Sequence, residues 1–215
     1  MALAGRLEKL LAGSGTSAGE TERLLGEIRQ RQEQLGGRFY GIEPGSSGDI
    51  VYVIDCSRSM RGVLSQVKKQ LVDALATLPP AKRFDVIFYS TGSHAVVEMP
   101  PGHLVPATAE NLAAARSFIS HVGWQAGTNP VPALERAFAC QPNVIYLLTD
   151  GQFDPAVIDI VAKLNRDRHV VLNTVCLPTG APSVRDELAY RETLETLARQ
   201  NRGRYRLVSD EPPPP

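Results

Sequence analysis

The sequence predicts an α/β protein with a doubly wound, six-stranded and mostly parallel sheet, preceded by N-terminal helices. Three observations support this fold class. Short runs of β-branched and aromatic residues alternate with amphipathic helical segments from residue 50 to residue 208. Most of these strands are separated by a helix, which is the connection that parallel neighbours require. One pair is separated only by the turn 90–93, which predicts one short antiparallel strand at an edge of the sheet.

Residues 1–40 predict a helical extension. Leucines at positions 3, 7, 10 and 11 form one apolar stripe, and the segment 21–35 carries a second stripe opposite a charged face. Both stripes must pack against something, whether the main domain, a partner or a second copy of the chain. Glycines at 36–37 and in the stretch 45–48 mark the connection to the main domain, which we assign to residues 48–209.

The elements of the main domain follow in a regular order. The predicted strands cover residues 50–54, 84–89, 94–97, 144–149, 170–177 and 204–208. The predicted helices cover residues 63–78, 109–121, 130–139, 155–165 and 186–200. Pro79 and Pro80 end the first helix, while Asn129 as a cap and Pro130 at the first position begin the third. Residues 210–215 predict a Pro-rich tail without packed structure.

Composition and charge exclude several classes of function. Lys plus Arg and Asp plus Glu both number 23, so no net charge attracts nucleic acid or an anionic membrane. The three cysteines lie far apart without metal-binding spacing, which predicts reduced thiols. No apolar run is long enough to span a membrane, and the first residues carry charges where a signal peptide is apolar. We therefore expect a cytoplasmic protein.

Polar side chains follow the first and fourth predicted strands. Asp55, Ser57 and Ser59 come directly after one strand, and Asp150 comes directly after the other. If these strands are neighbours, the two carboxylates lie side by side, and they repel each other unless a cation or a shared proton lies between them. Thr128 adds a third hydroxyl from a loop that precedes a helix. Carboxylate and hydroxyl oxygens are hard ligands that suit Mg²⁺.

This pattern resembles the metal-ion-dependent adhesion site of von Willebrand factor A domains of the bacterial intracellular type. The likeness covers about residues 48–209 and implies a Rossmann-like fold. Five residues carry the resemblance and would form the metal site: Asp55, Ser57, Ser59, Thr128 and Asp150. The resemblance implies that the three hydroxyls contact a divalent cation directly or nearly so, and that the two carboxylates act directly or through water. The implied cation is Mg²⁺, with Mn²⁺ or Ca²⁺ as alternatives, and an acidic side chain of a partner protein completes its shell.

Neighbouring residues are candidates for contact with that partner. The proposed rim consists of Arg58, Met60, Trp124, Gln152 and Phe153. Arg58 stands where the family commonly has glycine, and it either faces the acidic ligand or is simply an exposed arginine. Trp124 is the only tryptophan and is either an interface anchor or a packed loop aromatic.

The sequence therefore predicts a metal-dependent protein-interaction module and not an enzyme. The alternative is a structural or assembly subunit whose N-terminal helices mediate docking or self-association. An enzyme lacks support because no nucleophile elbow, dinucleotide motif, phosphate-binding loop or zinc-spaced histidine pair is present. An aspartate-nucleophile phosphatase would carry a second aspartate where this chain has Ser57.

Overall fold

A computed structural model of the chain describes residues 23, 26, 36–44, 48–91, 95–167 and 169–208. The predicted Pro-rich tail and the predicted N-terminal helices, apart from positions 23 and 26, lie outside the described residues.

Helices and strands alternate along the described part of the main domain. The strands are β1 (Asp49–Asp55), β2 (Arg83–Tyr89), β3 (Val96–Glu98), β4 (Val105–Pro106), β5 (Val144–Thr149), β6 (Val171–Cys176) and β7 (Tyr205–Leu207). A 3₁₀ helix (Arg58–Gly62) precedes α1 (Leu64–Ala76), α2 (Ala109–His121), α3 (Val131–Ala139), α4 (Val157–Leu164) and α5 (Val184–Gln200). Each predicted strand and helix of this domain is present, with ends displaced by no more than two residues.

The strands form one mixed sheet in the order β3-β2-β1-β5-β6-β7, with β4 paired to β2 beside β3. The pairs β1–β2, β1–β5, β5–β6 and β6–β7 are parallel, whereas β3 and β4 both run antiparallel to β2. The prediction of six strands with one antiparallel edge strand is therefore corrected to seven described strands with two antiparallel ones. The missed strand, β4, has only two residues, which is too short for any hydrophobic period to show.

Helices cover both faces of the sheet. One core packs α1 and α2 against one face, and the other packs α3, α4 and α5 against the opposite face. Successive residues of β1 contribute to the two cores in turn, and every residue of this strand after Asp49 is buried. Burial on both faces explains why the central strands appear in the sequence as continuous apolar runs.

Residues 36–44 form a small hairpin that packs against the domain. Phe39 and Ile42 exchange backbone hydrogen bonds of 3.0 and 2.9 Å, and both side chains are buried. The Phe39 ring meets Tyr52 at 5.4 Å and Tyr146 at 5.8 Å, both edge to face. Two buried hydroxyls anchor the hairpin, since Tyr52 donates to the Gly37 carbonyl at 3.1 Å and Tyr146 to the Ile42 carbonyl at 3.0 Å. The predicted connection is thus part of the core.

Within the described part of the chain, no helix combines the length and the apolar character needed to cross a membrane.

Candidate metal site

The carboxyl ends of β1 and β5 bring the two predicted carboxylates together. These strands are parallel neighbours, with Ile54 opposite Leu148, so Asp55 and Asp150 end adjacent strands at one edge of the sheet. The chain leaves β1 toward β2 on one side and returns through β5 toward β6 on the other. A reversal of this kind opens a crevice between the loops, and open α/β sheets bind ligands there.

Asp55 is a fully buried carboxyl held by three hydrogen-bond donors. Its Oδ1 accepts the Ser57 backbone N–H at 2.8 Å. Its Oδ2 accepts the Thr149 hydroxyl at 2.7 Å and the Tyr89 hydroxyl at 3.2 Å. Burial raises the pKa of Asp55 to about 6, although hydrogen bonds from Ser57 and Thr149 oppose this shift and the charge of Asp150 adds to it.

Asp150 is almost as deeply buried and is held by a separate set of donors. Its Oδ1 accepts the Gln152 backbone N–H at 3.1 Å, and its Oδ2 accepts the Gln152 side-chain amide at 3.0 Å and the Thr179 hydroxyl at 2.6 Å. Between the carboxylates, the Thr149 hydroxyl accepts the Gly151 N–H at 3.0 Å while it donates to Asp55. This linkage ties the Asp55 side chain to the backbone of the loop that carries Asp150.

Two of the three predicted hydroxyl ligands lie side by side. The Oγ atoms of Ser57 and Ser59 are 3.0 Å apart, because the 3₁₀ helix that begins at Arg58 turns the chain back on itself. Thr128 is half-buried on the loop before α3. That loop is tied to the first carboxylate loop, since the Gln125 N–H donates to the Cys56 carbonyl at 2.8 Å and Gln125 bridges to Ser57. No described contact joins the Thr128 side chain to the other four residues.

The backbone beside Thr128 requires a glycine. Gly127 has φ +73°, and a Cβ at this position would lie 2.4 Å from the Thr91 hydroxyl oxygen and 2.6 Å from the Thr91 Cβ. Two backbone hydrogen bonds pin the loop to the end of β2, from Thr91 N–H to the Ala126 carbonyl at 3.1 Å and from Asn129 N–H to the Ser90 carbonyl at 3.3 Å. The loop therefore has little freedom in where it presents Thr128.

The donor set fits a hard divalent cation. A carboxylate oxygen accepts about two hydrogen bonds, so the Oδ2 atoms of Asp55 and Asp150 are both satisfied by protein donors. Each Oδ1 accepts one protein donor and keeps an acceptor position for a cation or for its water. The adjacent hydroxyls of Ser57 and Ser59 add neutral oxygen ligands. Mg²⁺ prefers oxygen ligands of these types and keeps several waters.

Met60 does not belong to the predicted rim. Its side chain is fully buried and packs into the core on the α1 face, so its assignment as a partner contact is wrong. The 3₁₀ turn directs this side chain inward, and apolar periodicity cannot show this in a five-residue element. Phe153 is half-buried against the opposite core, and Gln152 is engaged with Asp150.

The other two rim residues are exposed. Arg58 lies at the start of the 3₁₀ helix with its side chain at the surface. Trp124 is 43% exposed, and the Arg61 guanidinium lies 5.1 Å from the centre of its ring. Arginine over an indole face is a favourable cation–π arrangement.

The surface beside Asp150 contains residues that the sequence did not reveal. A cavity of about 280 Å³ lies between the loop after β6 and the first turns of α5, and its lining includes Asp150, Thr179 and Tyr190. Val184 and Leu188 are exposed to 74% and 60% on that same part of α5. They lie four positions apart and therefore share one face of the helix. The hydroxyls of Tyr89, Thr149 and Thr179 were also missed, and only Thr149, next to Asp150, had a position that could have suggested its role.

Known proteins share the pattern of this domain. The family model for the von Willebrand factor type A domain matches residues 48–207. Inter-alpha-trypsin inhibitor heavy chain H4 of Homo sapiens is 36% identical over 123 residues, which cover 51% of this chain and 13% of that protein. Von Willebrand factor A domain-containing protein 3B of Homo sapiens is 27% identical over 177 residues, which cover 81% of this chain and 13% of that protein. The chain thus spans a small fraction of the length of these curated relatives.

A solved structure shares the fold. The von Willebrand factor type A protein from Catenulispora acidiphila superposes with a TM-score of 0.60 at 22% identity, covering 78% of this chain and 40% of that chain. At this level of identity the likeness concerns the fold alone.

Proposed function

Because this chain belongs to the von Willebrand factor type A domain family, whose members typically mediate protein–protein interactions, we propose that it is a metal-dependent protein-binding module. The proposed ligands of a divalent cation, with Mg²⁺ as the first candidate, are Asp55, Ser57, Ser59, Thr128 and Asp150. The observation that carries the proposal is the pair of buried carboxylates at the ends of neighbouring strands, next to two hydroxyls 3.0 Å apart. When bound, the cation would supply a positive centre that an acidic side chain of a partner protein can ligate.

The chemistry of the donors favours capture of an acidic group. Three of the five ligands are neutral hydroxyls, so two carboxylates are the only charges that face the cation from this set. A cation with few charged ligands keeps a strong attraction for an incoming carboxylate. The hydrogen bonds that hold Asp55 and Asp150 keep both in place before the metal or the partner arrives.

Exposed side chains on both sides of the site are suited to contact with a partner protein. Arg58 and Trp124 lie near the β1 end, and both residue types are favoured anchors in interfaces. Val184 and Leu188 offer apolar area near the Asp150 end. We propose that the partner carboxylate enters between these groups.

We propose binding without catalysis. The side chains that contact Asp55 and Asp150 are hydroxyls and one amide. Thr149 and Tyr89, whose hydroxyls donate to the carboxylate of Asp55, are fully buried, whereas a nucleophile must reach a substrate.

A direct test of the metal site is binding of Mn²⁺ and Mg²⁺ to the purified chain, measured by electron paramagnetic resonance and calorimetry. We expect Asp150→Asn to weaken binding by at least about tenfold, because it removes a charged ligand without a change in shape. Asp159→Asn removes an exposed carboxylate from α4 and is the matched control. Equal affinities of the wild type and Asp150→Asn would remove the basis of the proposal.

The partner is tested by capture from a lysate of the source cells in Mg²⁺, in chelator, and with Asp150→Asn in Mg²⁺. A protein retained only by the wild type in Mg²⁺ supports the module. The supporting result must include loss of binding when one Asp or Glu of that protein is changed to Ala. Partners that are captured equally in chelator and by Asp150→Asn would show that the binding surface lies elsewhere.

A second candidate function is an assembly subunit that docks or self-associates through the predicted helices before residue 36. An apolar groove of about 660 Å³ between α1 and α2 favours it, with Val72, Leu75 and Leu112 in its lining. The groove lies near Thr77, whose hydroxyl accepts the Gly37 N–H at 3.0 Å. Light scattering of the full chain and of a chain that begins at residue 36 tests this function. A smaller oligomer after truncation supports it, and an unchanged one contradicts it.

We propose a cytoplasmic location, which the state of the cysteines supports. Cys56, Cys140 and Cys176 are all unpaired, and two of them are buried. Free thiols persist in reducing compartments. Fractionation of source cells with an antibody against the chain tests the location.

A further inference from the structure

A second group of ligand-type side chains lies away from the first site, beneath the end of α3. One ligand atom each of Asp85 on β2, Glu98 on β3 and Cys140 after α3 lie within 4.8 Å of one another. Asp55 of the first site pairs with Tyr89 of β2, and Asp85 lies on the same strand four residues before Tyr89. At roughly 3.3 Å per strand residue, the two groups are about 13 Å apart along the sheet.

One oxygen of each carboxylate in this group is buried without a hydrogen-bond donor. Asp85 is fully buried, and its Oδ1 accepts the Val86 N–H at 2.7 Å, but its Oδ2 has no partner. The Oε1 of Glu98 is also buried without a partner. Burial raises the pKa of Asp85 to about 7, and a side-chain hydrogen bond with Glu98 and the charge of Glu98 add to this shift. A buried acceptor without a donor is costly, so these two oxygens require either a proton shared between the carboxyls or a cation.

The thiol of Cys140 determines which metal ion fits this group. A thiolate and two carboxylates form a donor set for Zn²⁺, whereas Mg²⁺ and Ca²⁺ avoid sulfur. With Zn–O bonds of about 2.1 Å and Zn–S bonds of about 2.3 Å, ligand atoms around a tetrahedral Zn²⁺ lie roughly 3.3–3.8 Å apart. The ligand atoms of the three residues lie within 4.8 Å of one another, so small side-chain movements would bring them to the distances that Zn²⁺ requires. Cys140 is half-buried and so gives an ion a route from solvent.

Arg136 places a positive charge beside this group. Its Nε donates to the other oxygen of Glu98, Oε2, at 2.6 Å, and its guanidinium also donates to the Gly102 carbonyl. This contact orients Glu98 with Oε1 free, as the outer partners of metal ligands do. Three negative ligands would be matched by the two charges of Zn²⁺ and the one of Arg136.

We propose that Asp85, Glu98 and Cys140 form a Zn²⁺ site, with a fourth position open to water. The ion would link β2, β3 and the end of α3 across the antiparallel edge of the sheet. This proposal does not depend on the Mg²⁺ site proposed above.

Titration of the full chain with Co²⁺ as a spectroscopic substitute for Zn²⁺ tests the site. A Co²⁺–thiolate bond gives a charge-transfer band in the near ultraviolet. We expect the wild type to develop this band, and Zn²⁺ to abolish it by displacement. Cys140→Ser should abolish the band, and Glu98→Gln should weaken Co²⁺ binding by about tenfold or more.

Two controls locate the signal. Cys176→Ala should retain the band, because that thiol is buried on another strand. Asp150→Asn should also retain it, which separates this site from the first one. A wild-type chain that develops no band would overturn the proposal without any question of a misfolded variant. A band that persists in Cys140→Ser would also overturn the proposal.

Discussion

The buried carboxyl of Asp55 is the residue whose protonation controls the proposed metal site. It has no exposed surface, and burial raises its pKa to about 6 although hydrogen bonds from Ser57 and Thr149 oppose this shift. The ordinary pKa of an aspartate is about 3.9. Metal binding requires the ionised form, so protons compete with the cation in a range where most aspartates are fully ionised.

We therefore predict that Mg²⁺ affinity falls as the pH decreases through 6. One unit below a pKa of about 6, only about a tenth of Asp55 is ionised, so affinity at pH 5 should be about tenfold lower than at pH 7. Calorimetric titrations at several pH values measure this change. An affinity that is constant between pH 5 and pH 7 would contradict the assignment of Asp55 as a ligand with this pKa.

Gly127 provides a second residue-scale prediction. Gly127→Ala should lower Mg²⁺ affinity by about tenfold, because the added Cβ meets Thr91 at 2.4 Å and must displace the loop that presents Thr128. Gly123→Ala on the same loop is the matched control, since its Cβ would meet nothing within 4 Å and its φ is not in the left-handed region. If both substitutions have the same effect on binding, the position of the loop does not matter to the site.

Local sequence accounts for some residues of the site and long-range packing for others. Asp55, Ser57 and Ser59 lie within one short stretch, so their proximity follows from the turn after β1. Thr179 reaches Asp150 only through the whole of β6 and the loop after it, a contact that no local pattern encodes. Met60 was misplaced for a related reason, because the direction of its side chain depends on a single 3₁₀ turn.

The hairpin of residues 36–44 is the element that sequence reasoning understated. Its glycines predicted a connection, yet Phe39 packs edge to face against both rings of the stacked pair Tyr52 and Tyr146. Both tyrosine hydroxyls are satisfied by hairpin carbonyls. Removal of the hairpin would therefore expose two aromatic rings and leave two buried hydroxyls unpaired.

We predict that Phe39→Ala lowers the free energy of unfolding by about 3–5 kcal/mol, which is the usual cost of deleting a buried phenylalanine. Phe118→Ala on α2 is the control, and it should cost less because that ring is only half-buried. Urea denaturation followed by circular dichroism measures both. A loss below about 1 kcal/mol for Phe39→Ala would mean that the hairpin is not part of the cooperative core.

Elements with a visible hydrophobic pattern were predictable, and the two-residue strand β4 was not. The helix α2 and the strand β5 have the bounds that their sequence patterns predicted. In α2 the Thr108 hydroxyl accepts the Asn111 N–H at 3.3 Å and so marks the start. By contrast, β4 exists because Val105 and Pro106 meet Phe84 and Arg83 across the edge of β2, which is a tertiary contact.

At the scale of the whole molecule, burial of the ionised Asp55 carboxylate lowers the stability of the folded protein. In metal-free protein, a carboxyl whose pKa is higher in the folded than in the unfolded state binds its proton more tightly when folded. The contribution of Asp55 to stability is therefore present below its ordinary pKa and is lost as the pH rises through about 6. Above that pH, a bound cation would compensate the buried negative charge.

We predict that Mg²⁺ raises the melting temperature at pH 7.5. Saturation at a hundred times the dissociation constant stabilises the folded state by about 2.7 kcal/mol, which shifts the midpoint by several degrees. Asp150→Asn, whose affinity should be at least about tenfold lower, should show about half of this shift or less at the same Mg²⁺ concentration, whereas Asp159→Asn should keep the full shift. Differential scanning calorimetry gives the comparison, and an Mg²⁺-dependent shift as large in Asp150→Asn as in the wild type would contradict the site.

Trp124 gives this domain an internal optical probe. It is the only indole in the chain, it is 43% exposed, and Arg61 lies over its ring. The neighbouring Gln125 ties its loop to Cys56, and the same loop continues to Thr128. The emission wavelength and quenching of this fluorophore therefore report on one loop only. A cation or a carboxylate that arrives beside it can be followed in real time, in unlabelled protein, with a fluorimeter.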